Sequence, residues 1–537
     1  MSKPCENPPV NLPPLAARNV SAVFEDALKH HPNKMAVRDE ARQLTYRELV
    51  EESLRMGGGF ARLGVSRQEA VLLMLDNHID NVVAWIALSL TARIEVPVNT
   101  AYRGSIFAHV LNNCGARVMV IEAAYCSRLA EIASQLTSLT TLVVRGDASG
   151  VSLPGHIRVL SFADLYAQSA PMEKLNPWDL IGIMYTSGTT GLSKGVRVTH
   201  AHAYGYCSPE IYGAAQPNDI NLVLLPLFHV GGQWAGLYNA LIGGASAVVL
   251  PRFSATRFWA DAREYGCTNT MLLGAMASFL YRQPPGSDDA NHPLKTIMMV
   301  PVMPELDAFM HRFGVTAVGT GFGSTEGSTI SRARPGTATP GGAGWLRSDI
   351  EARIVDENDL DVPPGVAGEI IIRSRDPWSI MDGYHNMPEA TVAAWRNLWF
   401  HTGDIVRQEP SGQYIFVDRL KDAVRRRGEN VSSFEVEREI LEHPDVLECA
   451  IIAVPSDASE DDIKACVVRK AGKTLDGVAL LDFLLPRLPD FMLPRYVEFM
   501  DALPKTPTEK IRKADLRASG VNARTWDRES IGFKLKR

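Results

Sequence analysis

The 537-residue chain carries 55 Lys and Arg against 61 Asp and Glu, a formal net charge of −6, with 46% hydrophobic and 22% charged residues. That length exceeds one ordinary core, so two or more domains are expected, at least one of them large. The mild acidity argues against nucleic acid as the main partner, and seven scattered cysteines without CxxC spacing argue against a disulfide or zinc framework.

The first residues lack the apolar core of a secretory signal, so a cytosolic location with reduced thiols is expected. VLLML at 71–75 predicts a strand, the pattern at 81–92 a helix, and RVMVIE at 117–122 another strand. The apolar run VVAWIALSLTA, 82–92, is too short to span a bilayer and reads as a buried helix. This alternation predicts α/β layers with parallel sheets through the first three quarters of the chain. From about 350 the rhythm changes to strands with short connections: DIEARIVD, GEIIIRS and GQYIFVD. A smaller α+β unit follows, with the helix SFEVEREILEH, the strands VLECAIIAV and IKACVVRK, and a helix near 478–488. The polar run DRLKDAVRRRGEN, 418–430, is the expected hinge region. The resulting division is a large unit of layered α/β subdomains plus a β-rich subdomain, followed by a small α+β unit. Residues after about 518 read as a loosely held basic tail.

The most biased stretch is YTSGTTGLSKG, 185–195, between an apolar strand at 180–186 and a second strand at 196–200. Glycines bring backbone N–H groups close to a ligand, hydroxyls add donors, and Lys194 adds a point charge, which together suit a polyphosphate. A flexible hairpin is the plainer alternative. The GxxxxGK[ST] loop of kinases and ATPases does not fit, because Ser193 stands where Gly is required and Gly195 where Ser or Thr is required.

YTSGTTGLSKG, GFGSTEG at 321–327, MDGYHNMPEAT at 381–391, HTGD at 401–404, DRLKD at 418–422, GENV at 428–431 and PKTPTEKIRK at 504–513 follow one another in order. With them the chain, from roughly 20 to 517, resembles the adenylate-forming superfamily of acyl-CoA synthetases, luciferases and adenylation domains. The text around PLFHVGGQW and DAFMHRFGV is most similar to carnitine/crotonobetaine-type CoA ligases. The resemblance implies ATP, Mg²⁺ and CoA, and a carboxylate substrate that is first adenylated and then passed to a thiol. It further implies that Thr186, Ser187, Gly188, Thr189, Thr190, Gly191 and Lys194 embrace the β- and γ-phosphates. Gly321, Phe322 and Gly323 would lie beside adenine, Ser324 would also bind the nucleotide, Thr325 would lie on the α-phosphate, Glu326 on Mg²⁺, and Asp404 with Arg419 on the ribose. Lys510 would reach the reacting carboxylate and α-phosphate, with Glu326 and Thr186 as the other catalytic groups, and Lys421 would be the pivot of a hinge at 419–421 between a large domain, 1–418, and a small mobile domain, 422–537. Arg427, Gly428 and Glu429, beside Arg425 and Arg426, would meet CoA. The resemblance allows a homodimer.

PLFHVGGQW, 226–234, matches the acyl-pocket segment of the family, which implies that His229, Gln233 and Trp234 line or gate a pocket shared with Gly321. The small Gly-rich stretch usual on the second wall is replaced by TIMMVPVMPE, 296–305, so Met299, Val300 and Met303 are expected to add bulk there. A quaternary ammonium acid would want an acidic or aromatic cage, and the sequence offers Trp234 and Phe228 but no acidic residue that can be placed. Other departures are Phe322 in place of Tyr, Thr508 and Glu509 in place of Ser-Gly, Asp418 in place of Gly, and Ser433 in place of Pro. Beside an acyl-CoA ligase, the alternatives are an enzyme that loads a separate carrier protein, a luciferase, and a nucleotide sensor without turnover.

Overall fold

The structure, a computed structural model, describes residues 9–150, 153–186, 193–213, 215–420, 424–426, 429–431, 433–456, 461–488, 492–506 and 510–532. One sheet has seven strands, in the order Arg158–Ser161, Thr141–Arg145, Val118–Glu122, Ala70–Met74, Ile94–Pro97, Leu180–Thr186, Lys194–Thr199. Neighbours are parallel except the last two, whose antiparallel register pairs Thr186 with Lys194. The second strand of this hairpin begins at Lys194, earlier than expected, and His200 already opens the helix His200–Cys207. The expected core helix spans Ile79–Leu90 and is buried at every position except Asp80.

The second sheet has thirteen strands and is continuous across the change of rhythm. Met35–Arg38, Ser246–Val249, Ile220–Val223, Asn269–Leu273 and Thr296–Val300 are parallel to their neighbours, as βαβ connections require, with Gln43–Thr45 antiparallel on the outer edge. Ser328–Ala333, Gly342–Leu346, Gln413–Arg419, Phe400–Gln408, Gly368–Ser374 and Ile350–Val355 form the antiparallel half. The strand Ala317–Ser324 belongs to both: residues 317–319 pair in parallel with Thr296–Val300, and residues 320–324 pair antiparallel with Ser328–Ala333.

The small unit packs the helices Ser433–Leu441 and Gly477–Leu484 on the sheet Val446–Pro455, Asp461–Arg469, Tyr496–Met500, Thr525–Asp527. Its core includes Val436, Ile440, Ile451, Leu480 and Val497. The expectation of a loose tail after 518 is corrected by that last strand, which pairs Trp526 with Val497. Arg528, 2% exposed, donates to the carbonyls of Leu493 and Pro494 at 3.0 and 3.3 Å. A single tryptophan supplies enough apolar area to fasten a segment whose composition is otherwise polar. Gly477 leaves room for that ring: a Cβ there would lie 2.4 Å from Trp526. Gly477→Val is therefore expected to lower the stability of the small unit by about 1–3 kcal/mol, read as a shift of its urea-unfolding midpoint.

Candidate active site

Open α/β sheets bind ligands beyond the carboxyl ends of their strands, where the strand order reverses. Here the parallel half ends on Ala317–Ser324, so Gly321, Phe322, Gly323 and Ser324 run past the parallel neighbour at the edge of the antiparallel half. The backbone is close-packed at this point, since a Cβ on Gly323 would lie 2.1 Å from the Ser328 carbonyl oxygen. Phe322 is half-buried and faces Phe416, with ring centroids 5.9 Å apart. Ser324 Oγ accepts from Gly327 N at 2.9 Å, a turn that delivers Thr325, which is buried, and Glu326.

Asp404 and Arg419 are direct partners across the antiparallel strands Phe400–Gln408 and Gln413–Arg419. Arg419 Nε lies 2.6 Å from Asp404 Oδ1, and beyond this ion pair no described residue hydrogen-bonds either carboxylate oxygen. Asp404 is 1% exposed. Burial pushes its carboxyl up to about 6, Arg419 and Lys510 pull it down, and Glu326 pushes it up. Two sheltered acceptor oxygens with no donor beyond Arg419 among the described residues are a fitting seat for a pair of hydroxyls.

Lys510 is joined twice to Thr506: Thr506 N donates to its carbonyl at 2.7 Å and Lys510 N donates to Thr506 Oγ1 at 3.1 Å. It still meets water, as a side chain in an open crevice does. The walls nevertheless crowd its ammonium, and burial, then the Arg419 charge, lower its pKa, with Asp404 and Glu326 opposing. The same positive charge acts on His229. Thus Lys510, Arg419, Asp404, Glu326 and His229, far apart in the chain, meet in one crevice.

Glu326 is half-buried, and its Oε1 accepts from Tyr384 Oη at 3.2 Å and, more weakly, from Thr186 Oγ1 at 3.4 Å. No described residue hydrogen-bonds its Oε2. Lys194 Nζ sits 4.6 Å from the centre of the Tyr384 ring. Among the described residues no three His, Cys, Asp or Glu side chains form a metal cage. A lone carboxylate with one open oxygen fits Mg²⁺, which is commonly bound through one or two carboxylates, substrate phosphates and water. MDGYHNMPEAT had marked the family without a role for Tyr384; its place beside Glu326 depends on tertiary folding.

On the opposite side, His229 Nδ1 accepts from Gly231 N at 3.1 Å. Burial, and secondly the Lys510 charge, lower its pKa to about 3, so the ring is neutral with its proton on Nε2. The chain then enters a π-helix, Gly231–Tyr238, a form frequent at functional sites. Gln233 Nε2 donates to both oxygens of Glu95, at 3.0 and 2.9 Å, and its Oε1 accepts from Trp234 Nε1 at 3.1 Å. Glu95, 2% exposed, is an acidic residue that sequence reading did not place at this segment. Trp234 is buried edge-on against Tyr206 and His202, with centroids 5.3 and 5.8 Å away.

The expectation for Met299 and Met303 is corrected. Both are buried on the helix-covered face of the sheet with Phe258 and Phe309, and Met303 N approaches Met299 Sδ at 3.4 Å. Side chains alternate along a strand, so Val300, half-buried at the strand end, is on the opposite face from Met299. Ser187, Gly188, Thr189, Thr190 and Gly191 of the loop, the pivot Lys421, Arg427, Gly428, Thr508 and Glu509 lie outside the described residues. Arg425, Arg426 and Glu429 fall in the hairpin Val424–Arg426, Glu429–Val431. Asp418, 4% exposed, accepts from Ser433 N at 2.6 Å, tying the last strand of the large sheet to the first residue of the helix Ser433–Leu441.

Residues 24–385 match the family of AMP-binding enzymes and residues 435–510 the AMP-binding enzyme C-terminal domain. The chain is 31% identical over 525 residues to a crotonobetaine/carnitine–CoA ligase of Proteus mirabilis (strain HI4320), covering 94% of this chain and 99% of the relative. It superimposes on the crystal structure of an anthranilate CoA ligase in complex with anthranoyl-AMP with a TM-score of 0.83 at 25% identity, covering 93% of this chain and 97% of that one. A benzoate CoA ligase from Burkholderia xenovorans LB400 gives a TM-score of 0.81 at 25% identity, over 93% and 99% of the two chains. Match and crevice agree, and the chain belongs to the AMP-binding enzyme family.

Proposed function

We propose that Lys510, Glu326 and Asp404 divide the work of carboxylate activation within this one crevice. The chain is an AMP-forming acid–thiol ligase. A carboxylate oxygen attacks the α-phosphorus of ATP, pyrophosphate leaves, and the thiol of CoA then displaces AMP from the acyl-adenylate. Two anions must meet in the first step, so the protein's task is charge compensation and alignment. The observation that carries the assignment is the mutual electrostatic reach of Lys510, Arg419, Asp404 and Glu326.

In this reading Asp404 orients the nucleotide through its ribose, Thr325 and the adenine-side strand hold the rest, and Lys510 neutralises the oxygens that gain charge during attack. Mg²⁺, held at Glu326 when bound, would offset the charge of the departing pyrophosphate. Lys510 arrives on the small unit and has to withdraw before a thiol can enter, which calls for rotation about the segment after Arg419. That supports a large domain at 1–418, a hinge at 419–421 and a moving domain at 422–537.

The acid is received on the His229 side, bordered by the π-helix and Val300. Burial pushes the Glu95 carboxyl up to about 8 against the pull of Gln233, so it holds its proton at neutral pH. A cationic acyl group gains no counter-charge from it in that state, and the buried Trp234 face offers no open cage. No described helix is long and apolar enough to cross a membrane. The described cysteines are all free and buried, which supports a reducing, cytosolic compartment.

Carboxylate-dependent pyrophosphate exchange tests the assignment. Over a panel of aryl, alkyl and quaternary ammonium acids, the exchange rate identifies the substrate, because adenylation is where the acid is chosen. Lys510→Ala is expected to slow exchange by about 10²–10³-fold while thioester formation from supplied acyl-adenylate and CoA persists. Exchange unchanged in that variant would remove Lys510 from the first step.

The raised pKa of Asp404 gives a second test. Its ionised form is the one that accepts two hydroxyls, so affinity is full above pH about 6 and is lost as pH falls through that value. The Kd for adenosine, whose own groups stay neutral there, should rise about tenfold per pH unit below the transition. Asp404→Asn should bind weakly at every pH and show no such slope.

A further inference from the structure

Residues 381–385 form a strap that touches two parts of the site at once. Along the strand Lys194–Thr199 the strap makes ladder-like bonds: Arg197 N to Gly383 O at 2.9 Å, Asp382 N to Arg197 O at 3.0 Å, and His385 N to Gly195 O at 2.7 Å. Val196 and Tyr384 form a bridge pair. At its start Met381 N donates to Glu326 O at 2.9 Å. The strap therefore joins the return strand of the phosphate loop to the turn that carries Glu326.

Tyr384 is the side chain at the junction. It is 8% exposed, and its backbone N donates to Thr391 Oγ1 at 2.9 Å. Its hydroxyl donates to Glu326 Oε1, the same oxygen that Thr186 approaches, while its ring lies under the Lys194 ammonium. A lysine and a glutamate this near a common residue would ordinarily pair and cancel each other's charge. Here the ammonium rests on a π face instead, and Lys194 makes no ion pair with a described residue.

We infer that Tyr384 is a positioning residue: its hydroxyl holds Glu326 by one oxygen so that the other is presented to the divalent cation, and its ring seats Lys194 apart from that carboxylate. The inference rests on the reading of Glu326 as the cation's carboxylate. Tyr384 contacts no reacting atom. It acts by keeping a negative and a positive group separately available for a magnesium–triphosphate ligand that needs both.

The test is Mn²⁺ affinity, read by electron paramagnetic resonance, of the full-length protein saturated with α,β-methylene-ATP, which cannot turn over. Tyr384→Phe keeps the ring and its packing and removes only the donor; it should weaken Mn²⁺ binding about tenfold, the value of a hydrogen bond to a charged group. Its affinity for the analogue without metal should match that of the unaltered protein. Tyr384→Leu, which also removes the π face, should lose analogue affinity severalfold in the absence of metal. Glu326→Gln in the same assay separates the two layers of the argument. If Glu326→Gln weakens Mn²⁺ binding and Tyr384→Phe does not, the positioning role is wrong and the reading of Glu326 stands. If Glu326→Gln leaves Mn²⁺ binding unchanged, that reading falls and the inference falls with it.

Discussion

A β-strand has two hydrogen-bonding edges, and in Ala317–Ser324 each edge serves a different kind of sheet along a different stretch of the strand. Residues 317–319 satisfy their backbone groups in a parallel ladder and residues 320–324 in an antiparallel one. Buried backbone groups must be paired, so this changeover decides where the parallel layers stop and where a crevice opens beyond them. Gly321 to Thr325 stand at its edge. The antiparallel continuation then brings the cross-strand pair of Asp404 and Arg419 to the same opening.

Inside that crevice the charges are mutually dependent. Burial raises the pKa of Asp404, the Arg419 and Lys510 cations oppose that rise, and the nearby Glu326 charge adds to it. Lys510 in turn has its pKa lowered by burial and by Arg419. Its withdrawal would leave Asp404 with one counter-charge fewer. On the proposed rotation, departure of Lys510 would also alter the electrostatics around Asp404, which would link the order of the two half-reactions to domain position.

Two departures from the family pattern meet where the large sheet adjoins the small unit. Asp418 supplies an acceptor that Gly could not, and Ser433 supplies an N–H that Pro could not, and the two are joined at 2.6 Å. Lys513 is also bonded to Ser433 Oγ and paired with Glu437 at 2.7 Å, so the helix start is held from both sides. As separate substitutions in sequence they had no evident connection. In the fold they form one fastening between the last large-sheet strand and the first helix of the small unit.

Local pattern carried much of the reading. The buried helix Ile79–Leu90, the strand before the phosphate loop and the strands Val446–Pro455 and Asp461–Arg469 were visible because periodicity and β-branched runs act over a few residues. The order of the motifs identified the family and the residue types its chemistry needs. Which face of a strand a residue takes was not visible, so Met299 was expected at the pocket and lies in the core, while Glu95 went unnoticed beside Gln233. The tail after 518 looked free because its one anchoring ring, Trp526, finds its partner across the sheet. The sequence by itself determined the elements, the family and the kinds of group that perform acyl activation, since those depend on short spacings. Only the tertiary structure decided that Tyr384 touches Glu326, that Asp404 is buried against Arg419 and that Asp418 meets Ser433, because contacts between distant segments depend on strand pairing and register.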